Sequence, residues 1–321
     1  MKKQRKSNGP SILKGVLTAA TLQLIDTSSS PALDADLIVS VVLKKPKAWL
    51  YANPNTAILP AQLKSIEGML RRREQGEPLE YILGTADFYD LTLQVNSSVL
   101  IPRPETEMLV DCAIKKVRDL KKSKTKNIVL LDIGTGSGCI ILALANNLRK
   151  IKGVSYVGSD MSFRALRVAT QNIRNYSMNG RIKLVKSNLL GRAVQSAIPP
   201  ENPFLIITAN LPYIAPDQYL HLPRSVRSFE PRRALIAEDC GTQLIKKLIT
   251  STNRWGIEKK YRFEMLMEID PRQSQMLVAY LKSKFSALWF EFQKDLSGKK
   301  RLLIVGNQVT ESNKSSKRMF S

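Results

Sequence analysis

What most constrains this chain is an alternation that begins at residue 127. Apolar runs of strand length (NIVLLDIG, SYVGSD, RIKLVKSN and PFLIITANLPY) are separated by segments that read as helices, CIILALANNLRK and FRALRVATQNIRNYSMNG among them. Strands alternating with helices need crossover connections, so the sheet is mostly parallel and doubly wound, an α/β domain with helices on both faces. Three further strands follow: YRFEMLMEID, ALWFEFQKD and KRLLIVGN. Only the stretch from Leu296 to Lys299 separates the last two, which predicts one antiparallel hairpin at the sheet edge.

Upstream, apolar residues recur at three- and four-residue spacing in SILKGVLTAATLQL, LDADLIVSVVL and LPAQLKSIEGMLRRRE. Pro46, Pro54 and Pro60 break these segments, and Ser30 or Asp34 is a candidate cap for the second. Residues 11–84 therefore read as a small helical domain without a catalytic constellation. Residues 85–107 form a connection in which Leu91, Leu93 and Val95 alternate as in a hairpin. Pro102 and Pro104 then fix a loop that enters the helix ETEMLVDCAIKKVRDL, and the α/β domain occupies residues 108–307. The basic stretch KKSKTK, 121–126, reads as a solvated connection. Residues 1–10 and the Ser/Lys-rich residues 308–321 are expected to be disordered.

Several function classes fall away on composition. No apolar run approaches the roughly 18 residues of a membrane span, so no membrane association is expected. Cys112, Cys139 and Cys240 are far apart and form no CxxC pair, which argues against a zinc site or a disulfide framework and for a reducing compartment. His221 is the single histidine, so a His-based triad or a multi-His metal site is hard to build. The 50 Lys and Arg against 27 Asp and Glu give a net charge of +23. Such a field favours rRNA, tRNA or a ribosome-bound partner, although a Lys-rich proteome produces the same charge without any specificity. The N-terminal MKKQRK lacks the apolar stretch of a secretory signal.

The motif LLDIGTGSGCI spans residues 130–140. A buried strand ends at Asp132, and Gly134, Thr135, Gly136, Ser137 and Gly138 lead into a helix. Glycines let the backbone turn sharply and let a ligand approach the main chain. The dinucleotide fingerprint is G-x-G-x-x-G; here position 139 is Cys and the third glycine comes one residue early. Asp132 is placed to hold a cationic amino group, and a carboxylate there suits a pyrophosphate poorly. Asp160 ends the next strand, about 20 positions on, where an acid can accept both ribose hydroxyls. It could also simply cap a helix. Asn188 and Leu189 sit at the tip of the third strand, either against an adenine ring or in an ordinary loop. Together these residues describe an adenosyl ligand without pyrophosphate. The arrangement resembles the class I (Rossmann-like) methyltransferases, which implies S-adenosyl-L-methionine as cofactor.

Residues 209–216, ANLPYIAP, follow the apolar strand FLIITA, which puts Asn210 at the carboxyl edge of the sheet, where α/β proteins bind ligands. The segment resembles the Asn-Pro-Pro-Tyr motif of methyltransferases that act on planar nitrogens. Such a nitrogen delocalises its lone pair and is a poor nucleophile. The Asn210 side-chain carbonyl and the Leu211 backbone carbonyl can each accept one N–H, which localises the lone pair and aims it. Tyr213 can pack on the planar group and exclude water, and Asn210, Leu211, Pro212 and Tyr213 are the candidate catalytic and substrate-binding residues. Asn210 also borders the cofactor. Leu211 stands where proline is usual, as in the Asn-Leu-Pro-Tyr version of the rRNA adenine dimethyltransferases.

Outside these motifs the chain resembles one family over roughly residues 11–305, the release-factor glutamine N5-methyltransferases. The resemblance rests on LDADLIVSVVL, EPLEYILGTADFYDLTLQVNSSVLIPRPETE, LLDIGTGSGCI, NLPYI, VRSFEPRRAL and DLSGKKRLLIV. It implies methylation of the glutamine in the Gly-Gly-Gln loop of class 1 peptide chain release factors, with the helical domain docking the release factor and the Arg103–Glu107 loop covering the cofactor. Two departures are Leu211 and the ending MEID, where a glycine commonly follows the acidic residue. The competing readings are an adenine N6-methyltransferase acting on rRNA or DNA, and a basic ribosome-associated binding protein that keeps the fold without catalysis. The family's first helix aligns with residues 11–24, which favours a cytoplasmic enzyme, with the mitochondrial matrix as the alternative.

Overall fold

The computed structural model describes residues 11–199 and 201–307; the expected disordered ends lie outside them. Two units are present, residues up to Gly84 together with Pro223–Phe229, and Thr85–Leu222 together with Glu230 onward.

The first unit is helical: α1 Leu13–Leu24, α2 Pro31–Leu43, α3 Lys47–Ala52, α4 Pro60–Glu74 and α5 Leu79–Leu83. Leu13, Val16, Ala20 and Leu24 form one stripe of α1, which packs with Ala35, Ile38 and Val39 of α2 and with Ile66 and Leu70 of α4. Neither expected cap of α2 is made. Ser30 holds the N-cap position without a side-chain capping bond, and Pro31, whose φ is preset for a helix, starts the turn instead. Asp34 is buried and accepts hydrogen bonds from Ser28 Oγ at 2.7 Å and Arg73 Nε at 2.6 Å, so it ties α2 to α4.

The second unit opens with the hairpin β1 Thr85–Phe88 and β2 Leu91–Gln94. A 3-10 turn at Pro104–Thr106 leads into α6 Glu107–Lys122. The alternation then runs β3 Ile128–Ile133, α7 Cys139–Asn147, β4 Val154–Asp160, α8 Phe163–Asn175, β5 Ile182–Lys186, α9 Arg192–Gln195 and β6 Phe204–Ala209. After the short helices α10 Pro216–Tyr219 and α11 Arg224–Phe229 (the latter part of the first unit) come α12 Gln243–Lys259, β7 Arg262–Glu268, α13 Ser274–Lys284, β8 Trp289–Lys294 and β9 Lys300–Gly306.

The seven strands lie in the order β5-β4-β3-β6-β7-β9-β8. The first five are parallel, and β8 and β9 form the expected antiparallel hairpin, with β9 against β7 and β8 at the edge. Successive strand residues feed opposite cores. Leu130, Tyr156, Ile206 and Leu266 face α6 and α7, whereas Leu131, Val157, Ile207 and Met265 face α12 and α13. From β3 the chain moves outward to β4 and β5, then crosses back to place β6 on the other side of β3. The order reverses between β3 and β6, and at such a switch point the connections diverge above and below the sheet and leave a crevice.

Candidate functional site

Both sequence motifs converge on that crevice. Asp132, one residue from the end of β3, sits beside Thr208 of β6 and Gly158 of β4. Its side chain is fully buried. Oδ2 accepts from Thr135 Oγ1 at 2.6 Å and Oδ1 from Thr208 Oγ1 at 2.9 Å. Burial pushes its pKa up to about 6, the hydroxyl donors oppose this, and the charge of Asp160 adds to it.

The loop after β3 turns on three glycines with φ of +78°, +56° and +81° at Gly134, Gly136 and Gly138. The N–H groups of Gly134 and Thr135 both donate to Ser159 O at 2.8 Å, and Gly136 N–H donates to Asp160 Oδ2 at 3.0 Å. Gly134 and Gly136 remain partly open to solvent, while Thr135 and Ser137 are buried. Gly138 answers a packing need, since a Cβ there would stand 3.2 Å from Ala169 Cβ of α8. Asp160 accepts from Gly136 N–H and, through Oδ1, from Ser162 N–H at 2.8 Å; burial raises its pKa against those bonds. Asn188 and Leu189 lie past the tip of β5, two strands from β3. Asn188 is exposed, Leu189 is half-buried with φ +47°, and Ser187 N–H bonds Asp160 O at 3.0 Å, which joins the two strand tips.

Across the crevice, Asn210 follows the last residue of β6. Its Nδ2 donates to Thr106 Oγ1 at 2.9 Å, and Thr106 Oγ1 donates onward to Glu268 Oε2 at 2.6 Å. Tyr213 OH donates to Glu268 Oε1 at 3.3 Å. Thr106 and Glu268 are buried. Burial raises the Glu268 pKa, and burial together with the Glu268 charge raises that of Tyr213, so the phenol stays protonated. The relay ties one N–H of the Asn210 amide to the protein and leaves Oδ1 available as an acceptor.

Leu211 is buried in the second core, and a Cβ at Gly134 would stand 3.0 Å from its Cδ2. The leucine thus fills the gap beside the glycine turn, which gives a packing reason for its presence where proline is usual. Pro212 is half-buried. The carbonyl of Tyr213 accepts from Gln273 Nε2 at 2.8 Å, and Gly241, at φ +80°, lies so near that a Cβ would be 2.0 Å from that oxygen.

The Arg103–Glu107 segment is tied at both ends. Arg103 pairs with buried Glu230 at 2.5 Å, Glu230 also accepts from Ile101 N–H at 3.2 Å, and Glu107 accepts from Tyr89 N–H at 2.7 Å. Sequence reasoning named neither Thr106 nor Glu230 as a site residue. Glu268 carried a signal, an acid at the carboxyl end of a central strand. Among the described residues no group of three or more His, Cys, Asp or Glu could hold a metal ion, and no helix is long and apolar enough to cross a membrane.

Comparison with known proteins places the chain in a family. The PrmC N-terminal domain family matches residues 16–84, and a methyltransferase domain family matches residues 124–283. A release factor glutamine methyltransferase of Rhodopirellula baltica is 31% identical over 280 residues, covering 86% of this chain and 89% of the relative. That of Vibrio cholerae is 36% identical over 241 residues, covering 74% and 78%. That of Nitratidesulfovibrio vulgaris is 30% identical over 308 residues, covering 95% and 98%. Among solved structures, the hMettl16 catalytic domain in complex with a MAT2A 3′UTR hairpin has a TM-score of 0.50 at 15% identity, covering 80% of this chain and 86% of that one, a likeness of fold.

Proposed function

This chain belongs to the release factor glutamine methyltransferase family, and from that premise we propose that it methylates the side-chain amide nitrogen, N5, of the glutamine in the Gly-Gly-Gln motif of class 1 peptide chain release factors. It is a methyltransferase, and S-adenosylmethionine is its methyl donor.

The crevice fits that donor. Among the described residues neither Asp132 nor Asp160 forms an ion pair, in a chain with 50 Lys and Arg. A ligand that carries positive charge supplies the missing partner, and the partly open, positive-φ glycines allow close approach. Asp132 and the loop Gly134–Gly138 hold the amino-acid end, Asp160 the ribose hydroxyls, and Asn188 and Leu189 the adenine. When bound, the cofactor supplies an electrophilic methyl carbon on a sulfonium.

The observation that carries the acceptor assignment is the orientation of Asn210. With Nδ2 bound to Thr106, Oδ1 accepts one N–H of the glutamine amide, and the Leu211 carbonyl accepts the other. Both bonds draw electron density onto the nitrogen and aim its lone pair. Tyr213, kept protonated, packs on the planar amide and excludes water. An N-methylated amide cation is a strong acid and releases its proton without a dedicated base, which suits a chain with one histidine. Residues 11–84 form the release-factor docking domain, and residues 108–307 carry catalysis.

The test is incubation with tritiated S-adenosylmethionine and a class 1 release factor. Label should enter the factor and vanish when its Gly-Gly-Gln glutamine is changed. Label that persists in the altered factor, or that enters purified RNA or DNA instead, overturns the assignment.

A further inference from the structure

Between Asp160 and Glu201 the chain has no acidic residue, although the whole chain has 27 in 321 positions. The same 40 residues, 161–200, carry seven Lys and Arg. Arg164, Arg167 and Arg174 lie on α8, Arg181, Lys183 and Lys186 lie just before and on β5, and the seventh opens α9. All seven are exposed. Among the described residues none of them forms an ion pair. Some basic residues elsewhere are paired, as in Arg73 with Asp34, Lys116 with Glu264 and Lys246 with Asp239; what sets 161–200 apart is that it holds no acidic residue that could pair locally.

The fold gathers these charges. β5 is an end strand of the sheet and α8 packs against β4 and β5, so the cations share one edge. On α8 the positions 164, 167, 171 and 174 form a single stripe, with Gln171 between the arginines. At 1.5 Å per residue the stripe is about 15 Å long, the rise of about four nucleotides of one strand. At the end nearest Asp160 stand two exposed apolar side chains, Met161 at 56% and Phe163 at 64% exposure. Lysines on an edge strand also discourage edge-to-edge pairing, but that need explains neither the arginines of α8 nor an exposed aromatic beside them.

We propose that the α8–β5 edge is a binding surface for RNA, with the arginine stripe on the phosphate backbone and Phe163 stacked on a base. An acidic protein would satisfy the charges equally; the exposed aromatic at the head of the stripe is what favours a nucleic acid. The surface is independent of the methyl-acceptor assignment.

The test measures fluorescence anisotropy of a labelled single-stranded RNA against the full chain over a range of salt. The R164Q/R167Q/R174Q variant should lower the slope of log affinity against log salt by about 2, at roughly 0.7 for each phosphate no longer neutralised. A control triple of equal charge change on α12 and its C-cap, K247Q/K259Q/K260Q, should leave the slope unchanged. F163A should weaken RNA binding about fivefold or more and leave the slope alone. Thermal unfolding that matches the parent chain shows each variant folded. Absence of RNA binding at low salt, equal effects of the two triples, or polyglutamate bound as tightly as RNA with the same arginine dependence overturns the proposal.

Discussion

The two banks of the crevice each present a buried carboxylate, and the two carboxylates do opposite things. On the β3–β4 side, Asp132 is fully buried, has two hydroxyl donors and, among the described residues, no ion-pair partner, and has its pKa pushed up to about 6. On the β6–β7 side, Glu268 is buried to a similar degree, but its oxygens take the hydroxyls of Thr106 and Tyr213, with the charge of Arg301 helping to offset burial. Asp132 is a charge short of a partner and is suited to a cationic ligand. Glu268 is spent on the protein, and its product is the orientation of Asn210. Burial and hydroxyl donors are common to both carboxylates and do not tell a ligand-binding group from a positioning one; the nearby charge of Arg301, which of the two acts on Glu268 alone, does.

This contrast can be broken most forcefully at Asn210. Asn210→Ala should reduce single-turnover methyl transfer by about 100- to 1,000-fold, the scale of losing one preorganised polar contact to the reacting group. Calorimetry should show S-adenosylmethionine affinity nearly intact. An equal loss of cofactor affinity would mean that the two banks are not functionally separate.

The second effect is a pH dependence with a defined sign. A cationic ligand requires Asp132 ionised, so cofactor affinity should fall about tenfold per pH unit below about 6. Asp132→Asn should bind weakly and without that slope. Without ligand the trend reverses. The folded pKa lies above the ordinary value of 3.8, so the folded state binds more protons between about 4 and 6, and stability is lost as pH rises through that window. Urea midpoints for the parent chain and Asp132→Asn, with and without cofactor, check both signs.

A smaller effect belongs to Thr106. Thr106→Val breaks the relay while keeping the side-chain shape, and should lower kcat by about 10-fold or more with little change in cofactor affinity. It leaves a Glu268 oxygen without its donor, a destabilisation of about 1–3 kcal/mol. Thr106→Ser restores the hydroxyl and should recover turnover. Lost stability without lost kcat would reduce Thr106 to a structural role.

The banks also differ in how plainly the amino-acid sequence announces them. Asp132, the glycine turn and Asp160 fall within 29 consecutive residues and are joined by strand-tip backbone bonds such as Gly134 N–H to Ser159 O. Their arrangement follows from the strand–turn–helix order itself, and periodicity, glycine spacing and a strand-end acid suffice to read it. The doubly wound sheet and its terminal hairpin are legible for the same reason, because connection length decides between parallel and antiparallel pairing. The start of α2 is not legible in this way, because Pro31 makes a side-chain cap dispensable and so frees Asp34 for Arg73.

Residue type at Asn210, with the Leu-Pro-Tyr that follows, was determined by sequence, and so was its place at the carboxyl edge of the sheet. Its orientation was not. Thr106 lies 104 residues before Asn210 and 162 before Glu268, and Arg103 lies 127 before Glu230. No local propensity links such positions. They meet because β6 and β7 are neighbours in the sheet and the Pro104–Thr106 turn folds over their ends. Sequence alone named the chemical groups, since those are covalent facts of the chain. Only tertiary structure decided that the Asn210 amide nitrogen turns to Thr106, because an amide's direction is set by the hydrogen-bond partners that folding brings to it.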